Sequence, residues 1–207
     1  MSSPRRKIAD FSDLDLAPEP HAQFARWMDE AVTADVHEPV AMALATATPG
    51  GRPSARMVLL RHHGPDGFVW FTNYESRRGR ELLANPQAAL LFHWAEIGRQ
   101  IRVEGTVARL DAAASDAYFA SRERGSQIGA WASAQSRPLA DRSELDARVA
   151  GIDVRFAGRP VPRPAGWGGY VLTATGFEFW QHRDDRLHDR IAYTRDGTEW
   201  TISRLAP

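Results

Sequence analysis

Arg186, Leu187, His188, Asp189 and Arg190, preceded by Trp180, are the residues of this chain best equipped for chemistry. Side chains alternate faces along an extended strand, so the run predicts Arg186, His188 and Arg190 on one side, with Leu187 and Asp189 on the other. Two guanidiniums and an imidazole beside an indole suit an anionic, planar ligand. A solvated strand edge would carry the same residue types. The apolar neighbours Phe179 and Ile191-Ala192-Tyr193 favour a site.

Four other clusters invite a similar reading. Arg56 and Arg61 bracket the apolar run Met57-Val58-Leu59-Leu60. Ser76-Arg77-Arg78-Gly79-Arg80 opens a predicted helix, where free N–H groups and added guanidiniums would clamp a phosphate. Tyr118, Arg122 and Ser126 are spaced four apart and share one face if helical geometry persists through them. Gln135-Ser136, after Trp131, could hydrogen-bond the edge of a heteroaromatic ring. Each has a bland counterpart: a buried strand with charged ends, a basic turn, a chance alignment, a helix end. Other chemistries lack their residues. There is no cysteine, so thiolate nucleophiles and Cys-based metal sites are excluded. No His-x-x-His or His-Glu-x-x-His occurs, His62 and His63 would point opposite ways on a strand, and no metal site is expected. Gly-x-Ser-x-Gly, Walker and Rossmann glycine patterns are also missing.

The elements that must position these groups follow from pattern. Phe24, Trp27, Met28 and Ala31 predict a helix over Pro20 to Ala34. Val40 to Thr48 and Ala55 to Arg61 form a hairpin across Pro49-Gly50-Gly51. Phe68–Thr72, Ala88–Trp94 and Gln100–Leu110 are further strands. Ser76 caps a helix through Leu83, and Asp111 one through Phe119. Gly125 interrupts before a helix over Ser126–Ser133, and another covers Ser143 to Phe156. The strands Tyr170–Ala174, Phe177–Gln181, Leu187–Thr194 and Glu199–Arg204 close the chain. Short strands, tight turns and inserted helices predict an α+β antiparallel barrel. With 207 residues, 43% hydrophobic and 25% charged, the chain supports one core over residues 20–207 behind a loose tail at 1–19. Formal net charge is zero, which argues against nucleic acid. No apolar run suits a membrane span or a secretory signal, so a soluble cytoplasmic protein is expected. Of the 26 Lys+Arg, only Lys7 is lysine, so any phosphate site is built from arginine.

Taken in order, Arg56-Met57-Val58-Leu59-Leu60, Phe71-Thr72-Asn73, Ser76-Arg77-Arg78, Arg99-Gln100, Ser126-Gln127-Ile128-Gly129-Ala130-Trp131, Gln135-Ser136, Trp167-Gly168-Gly169, Glu178-Phe179-Trp180-Gln181 and the Arg186–Arg190 run closely resemble the pyridoxamine 5′-phosphate oxidase family. The likeness runs from about Phe24 to Pro207. It implies a split β-barrel homodimer holding FMN at the subunit interface. By residue match, FMN would meet Arg56, Met57, Val58, Leu59, Thr72, Arg77, Arg78, Gln100, Gln135, Ser136, Trp180 and Arg190. Pyridoxamine or pyridoxine 5′-phosphate would meet Arg61, Tyr118, Arg122, Ser126, Arg186 and His188, the last two being the catalytic pair. The implied reaction moves hydride from C4′ to flavin N5, and O2 reoxidises the flavin to give H2O2. Arg61 and Arg78 stand where the family usually has lysine, Glu123 where it often has proline, and His182 where glycine is common. The alternatives are a related split-barrel oxidase acting on another substrate such as a phenazine precursor, a non-catalytic flavin- or haem-binding barrel, and a deazaflavin-dependent reductase.

Overall fold

The computed structural model describes residues 16–207, so the expected tail is described only from Leu16. There the chain is docked: Leu16 packs on the core, Ala17 N–H donates to Gln23 Oε1 (2.9 Å) and Tyr193 Oη donates to Ala17 O (2.8 Å). Among the described residues nine antiparallel strands form one sheet in the order β2-β1-β5-β6-β7-β4-β3, with β8 beside β7 and β9 beside β8. Alternation of apolar side chains builds β1 (Ala41–Ala47), which buries every second residue. It pairs with β2 (Pro53–Leu59), the expected hairpin. At the end of β2 the chain changes partners. Leu60 N–H still bonds to Val40 O, but Arg61 N–H bonds to Val69 O of β4 (Gly67–Asn73). The short β3 (His62–Gly64) follows and pairs with β4.

The longest strand organises the rest. The expected break near Gly176 is absent: β7 runs unbroken over Trp167–Gln181. It pairs with β6 (Arg99–Arg109), and a register shift between Glu104 and Gly105 absorbs the irregularity. Its first half pairs with β4 and its second half with β8 (Asp189–Asp196), so one strand serves two neighbours on the same edge. β5 (Gln87–Trp94) and β9 (Glu199–Arg204) complete the sheet.

Helix α1 (Pro20–Thr33) buries Phe24, Trp27, Met28 and Ala31 against the sheet. Each large apolar side chain so buried contributes roughly 1.5–3 kcal/mol. Ser76 caps α2 (Arg77–Ala84) by accepting from Gly79 N–H, and Asp111 caps α3 (Ala112–Ala120) through Ala114 N–H. Gly125 is no interruption. It lies inside α4 (Arg124–Ala132), and the real break is Ser121-Arg122-Glu123. The last helix is α5 (Arg142–Arg155). Phe119, Ile128, Phe156, Val161 and Trp167 form a second, smaller core beneath α3–α5. That core holds the helices against the mouth of the sheet.

Candidate active site

A cavity of about 450 Å3 opens between β2, the ends of β4 and β7, and the α3–α4 break. Met57, Val58 and Leu59 form one wall. Phe71 and Tyr118 stack at 3.8 Å between ring centroids, and Trp167 lies nearly parallel to Tyr118 (2°). Gly169 makes this packing possible, since a Cβ there would sit 2.9 Å from Phe71 and 2.5 Å from Leu110. Thr72 Oγ1 donates to Gln135 Oε1 (3.1 Å), joining the sheet to the segment after α4.

Arg61, Arg78 and Arg122 also line this cavity. Their side chains form no hydrogen bond or ion pair among the described residues. Arg122 Nη1 is buried and orphaned, with the guanidinium carbon 4.7 Å from the centre of the Trp167 ring. Burial, and then the neighbouring Arg56, hold the Arg78 pKa below its ordinary value. Burial dominates at Arg122 as well, where Tyr118 opposes the shift and Arg61 adds to it. Arg78 and Arg122 are half-buried and Arg61 is exposed, and a partly desolvated cation without a counter-charge is stabilised when an anion arrives. Tyr118, Arg122 and Ser126 do meet here, but not along one helix. Arg122 sits in the break between α3 and α4, and that bend brings the three together.

Arg56 and Arg77 are placed differently from Arg78. Neither lines the cavity. Arg56 and Met57 point to opposite faces of β2, and Arg61 lies past the strand end, so it reaches the cavity although Arg56 does not. Arg56 turns onto a buried carboxylate, Glu81 Oε2 (3.4 Å), and donates to Leu44 O (3.0 Å) and Thr46 Oγ1 (2.7 Å). Glu81 also accepts from Thr46 Oγ1 (2.5 Å), Ser54 Oγ (2.5 Å) and Arg77 Nε (2.9 Å). Burial alone would raise the Glu81 pKa. The hydrogen bonds from Ser54, Thr46 and Arg77 prevail and hold it at about 2. Ser136 touches this group through Arg77 N–H, which donates to its Oγ (3.2 Å).

Gln100, Trp180, Arg186, His188 and Arg190 form a second cluster at the far end of β7, and none of them lines the cavity. Gln100, Trp180 and Arg190 lie side by side across β6, β7 and β8. The expected strand face carrying Arg186, His188 and Arg190 does not form. Asp184–Arg186 is a one-turn 3-10 helix, and β8 begins only at Asp189. Asp185 (φ 55°) and Arg186 (φ 62°) both adopt left-handed backbone. Two adjacent non-glycine residues there cost on the order of 1–3 kcal/mol each, strain of the kind concentrated at functional sites. The turn is braced by Asp189, which accepts from Arg183 Nε (2.5 Å) and Arg204 Nη1 (2.7 Å). Arg190 donates from Nε to Glu178 (2.8 Å), which raises its pKa. His188 packs on Trp180 at 4.5 Å, and its Nδ1 accepts from Arg183 N–H (3.2 Å). In the neutral ring that bond leaves the proton on Nε2.

Phe71, Asn73, Gly129, Ala130 and Trp167, which stood in the matching motifs without a role, and Ser133, which did not, also line the cavity. The glycine pair after Trp167 was the available signal, because it marks close approach. Glu81 carried no signal: a single glutamate in a helix reads as solvated.

Over residues 28–156 the chain matches the family model described as pyridoxamine 5′-phosphate oxidase. Over residues 167–207 it matches the pyridoxine 5′-phosphate oxidase C-terminal dimerisation region. A pyridoxine/pyridoxamine 5′-phosphate oxidase of Rubrobacter xylanophilus is 57% identical over 92% of this chain and 88% of its own. One from Gluconobacter oxydans is 52% identical over 97% and 100%. Among solved structures, PhzG from Burkholderia lata, in complex with tetrahydrophenazine-1-carboxylic acid, superposes with a TM-score of 0.88 at 37% identity, covering 93% of this chain and 95% of that one. Matched along nearly its whole length and carrying the dimerisation region as well, the chain belongs to the pyridoxamine 5′-phosphate oxidase family.

Proposed function

We propose that this protein is an FMN-dependent oxidase of pyridoxine and pyridoxamine 5′-phosphates, working as a cytoplasmic homodimer whose residues 20–207 form one domain. The observation that carries the reading is the cavity itself: three guanidiniums without carboxylate partners around a stack of parallel aromatic rings. Two phosphate esters, one from the flavin and one from the substrate, match that charge. The cavity volume is within the usual range for small-molecule sites. The donor set therefore fits FMN.

In this reading Met57, Val58, Leu59, Thr72 and Gln135 border the flavin ring, while Arg78, Arg77 and Ser136 take its phosphate. Arg61, Tyr118, Arg122 and Ser126 grip the substrate phosphate. Hydrogen bonds to charged groups contribute about 1.5–3 kcal/mol each. That grip fixes the pyridine ring and converts a bimolecular encounter into an oriented step. Gln100, Trp180, Arg190, Arg186 and His188 reach the cavity of the partner chain. About 40 Å of extended strand separates Trp167 from Trp180 at the usual rise per residue, and the exposed Met57 (64%) and Leu59 (37%) give the cavity wall an apolar face for the partner to cover. His188 offers an Nε2 proton to the substrate, and Arg186 clamps it from the same side. Bound FMN supplies a two-electron acceptor that O2 regenerates with release of H2O2.

The test is a colour change. Purified protein should be yellow, and pyridoxine 5′-phosphate should bleach it without air, with colour returning on aeration. Unphosphorylated pyridoxine at equal concentration should bleach it far more slowly. Equal bleaching by both would remove the phosphate grip and leave the phenazine-type alternative standing.

A further inference from the structure

Glu81 is the carboxylate at the meeting point of α2, β1 and β2, and only 6% of it is exposed. It binds two arginines in unlike ways. Arg56 is consumed: its two Nη atoms reach Leu44 O, Thr46 Oγ1, Ser54 O, Ser54 Oγ and Glu81 itself. Arg77 is held by its Nε edge alone (2.9 Å), and its side chain is 52% exposed. Its Nη atoms have no partner among the described residues. An arginine tied at Nε keeps its outer pair of N–H groups in a fixed plane, ready for bidentate contact with an oxyanion.

We propose that Glu81 is a positioning residue for the cofactor phosphate: Thr46, Ser54 and Arg56 hold it, and it aims the Nη edge of Arg77 beside Arg78. This rests on the FMN reading above. A free arginine side chain of this exposure samples many rotamers, and the ordering cost falls on binding. Here Thr46, Ser54 and Arg56 fix Glu81, Glu81 fixes Arg77, and that cost is met in folding. The charge count agrees. Arg56 and Glu81 cancel, so Arg77 and Arg78 face the phosphate as two net cations.

The sign of one substitution separates this from simple electrostatics. Removing a nearby negative charge should, by Coulomb attraction alone, tighten phosphate binding. Positioning predicts the reverse. The experiment is a fluorescence titration of the full-length dimer with FMN and, separately, with riboflavin, which has the ring but no phosphate. Glu81→Gln should weaken FMN about tenfold, the loss of one charge-assisted contact, and leave riboflavin within twofold. Unchanged or tighter FMN binding overturns the proposal, and so does parallel weakening of FMN and riboflavin. Should Glu81→Gln fail to fold, Ser54→Ala removes one donor to the same carboxylate. It should weaken FMN two- to fourfold, again sparing riboflavin, and an unchanged FMN affinity refutes the idea. A wild-type chain that binds neither flavin sinks the cofactor reading itself, a distinct result.

Discussion

The cavity and the β7–β8 turn carry similar side chains in opposite electrostatic states. In the cavity Arg61, Arg78 and Arg122 have no carboxylate, and burial depresses the pKa of Arg78 and of Arg122. At the turn Arg183 and Arg204 share Asp189, and Arg190 is bonded to Glu178. In the proposed reading the cavity receives negative charge from outside. The turn is neutralised internally, and in the proposed reading it presents Arg186 and His188 to the partner's cavity. Cations of one type thus stand in two states, unpaired in the cavity and paired with carboxylates at the turn, and Arg77, tied to Glu81 by its Nε edge alone, lies between them.

Substitutions can break that contrast. Arg186→Ala should lower kcat by about two powers of ten while FMN stays bound, since positioned groups at a reacting centre contribute on that scale. Loss of flavin with normal turnover per bound flavin would show that Arg186 holds the cofactor instead. Arg122→Ala should raise KM for phosphorylated substrate by between one and two powers of ten, the loss of roughly 1.5–3 kcal/mol. An unchanged KM would mean that its orphaned nitrogen is not the phosphate contact.

Gly169→Ala probes the aromatic wall without touching charge. Its Cβ would sit 2.5 Å from Leu110 and 2.9 Å from Phe71, and overpacking of this sort costs about 1–3 kcal/mol. Thermal melts should show a drop in Tm, and an unaltered Tm would mean the wall gives way freely. The smallest effect concerns acid. The folded pKa of Glu81 is about 2, against an ordinary 4.5. Its stabilisation is therefore complete above about 4.5, falls as pH drops, and is gone below about 2. The stability gap between wild type and Glu81→Gln should shrink from pH 5 to pH 3, read by denaturant unfolding. A gap that widens would contradict the bonded, ionised carboxylate.

Regular elements were readable because they repeat. The alternation in β1, the caps Ser76 and Asp111, and the apolar face of α1 announce themselves in spacing. The cavity residues Tyr118, Arg122 and Ser126 were found through a helical period that the structure does not keep; a bend at Arg122 brings them together instead. What spacing could not give depends on contacts between distant segments. β7 continues past Gly176 because β6 supplies a register shift and β8 takes over from β4. The Arg186 turn departs from its strand pattern because Asp189, Arg183 and Arg204 fold it back. Glu81 matters only where β1 and β2 deliver Thr46, Ser54 and Arg56 to it.

The central claim is that each site joins the cavity of one chain to the turn of the other. Arg122→Ala and Arg186→Ala, each nearly inactive at low substrate, should be unfolded together and refolded as a mixture. Random pairing makes half of the dimers mixed, and each mixed dimer holds one intact site of two, so about a quarter of wild-type activity should return. Activity that stays at the level of the separate variants would show that a single chain builds the whole site.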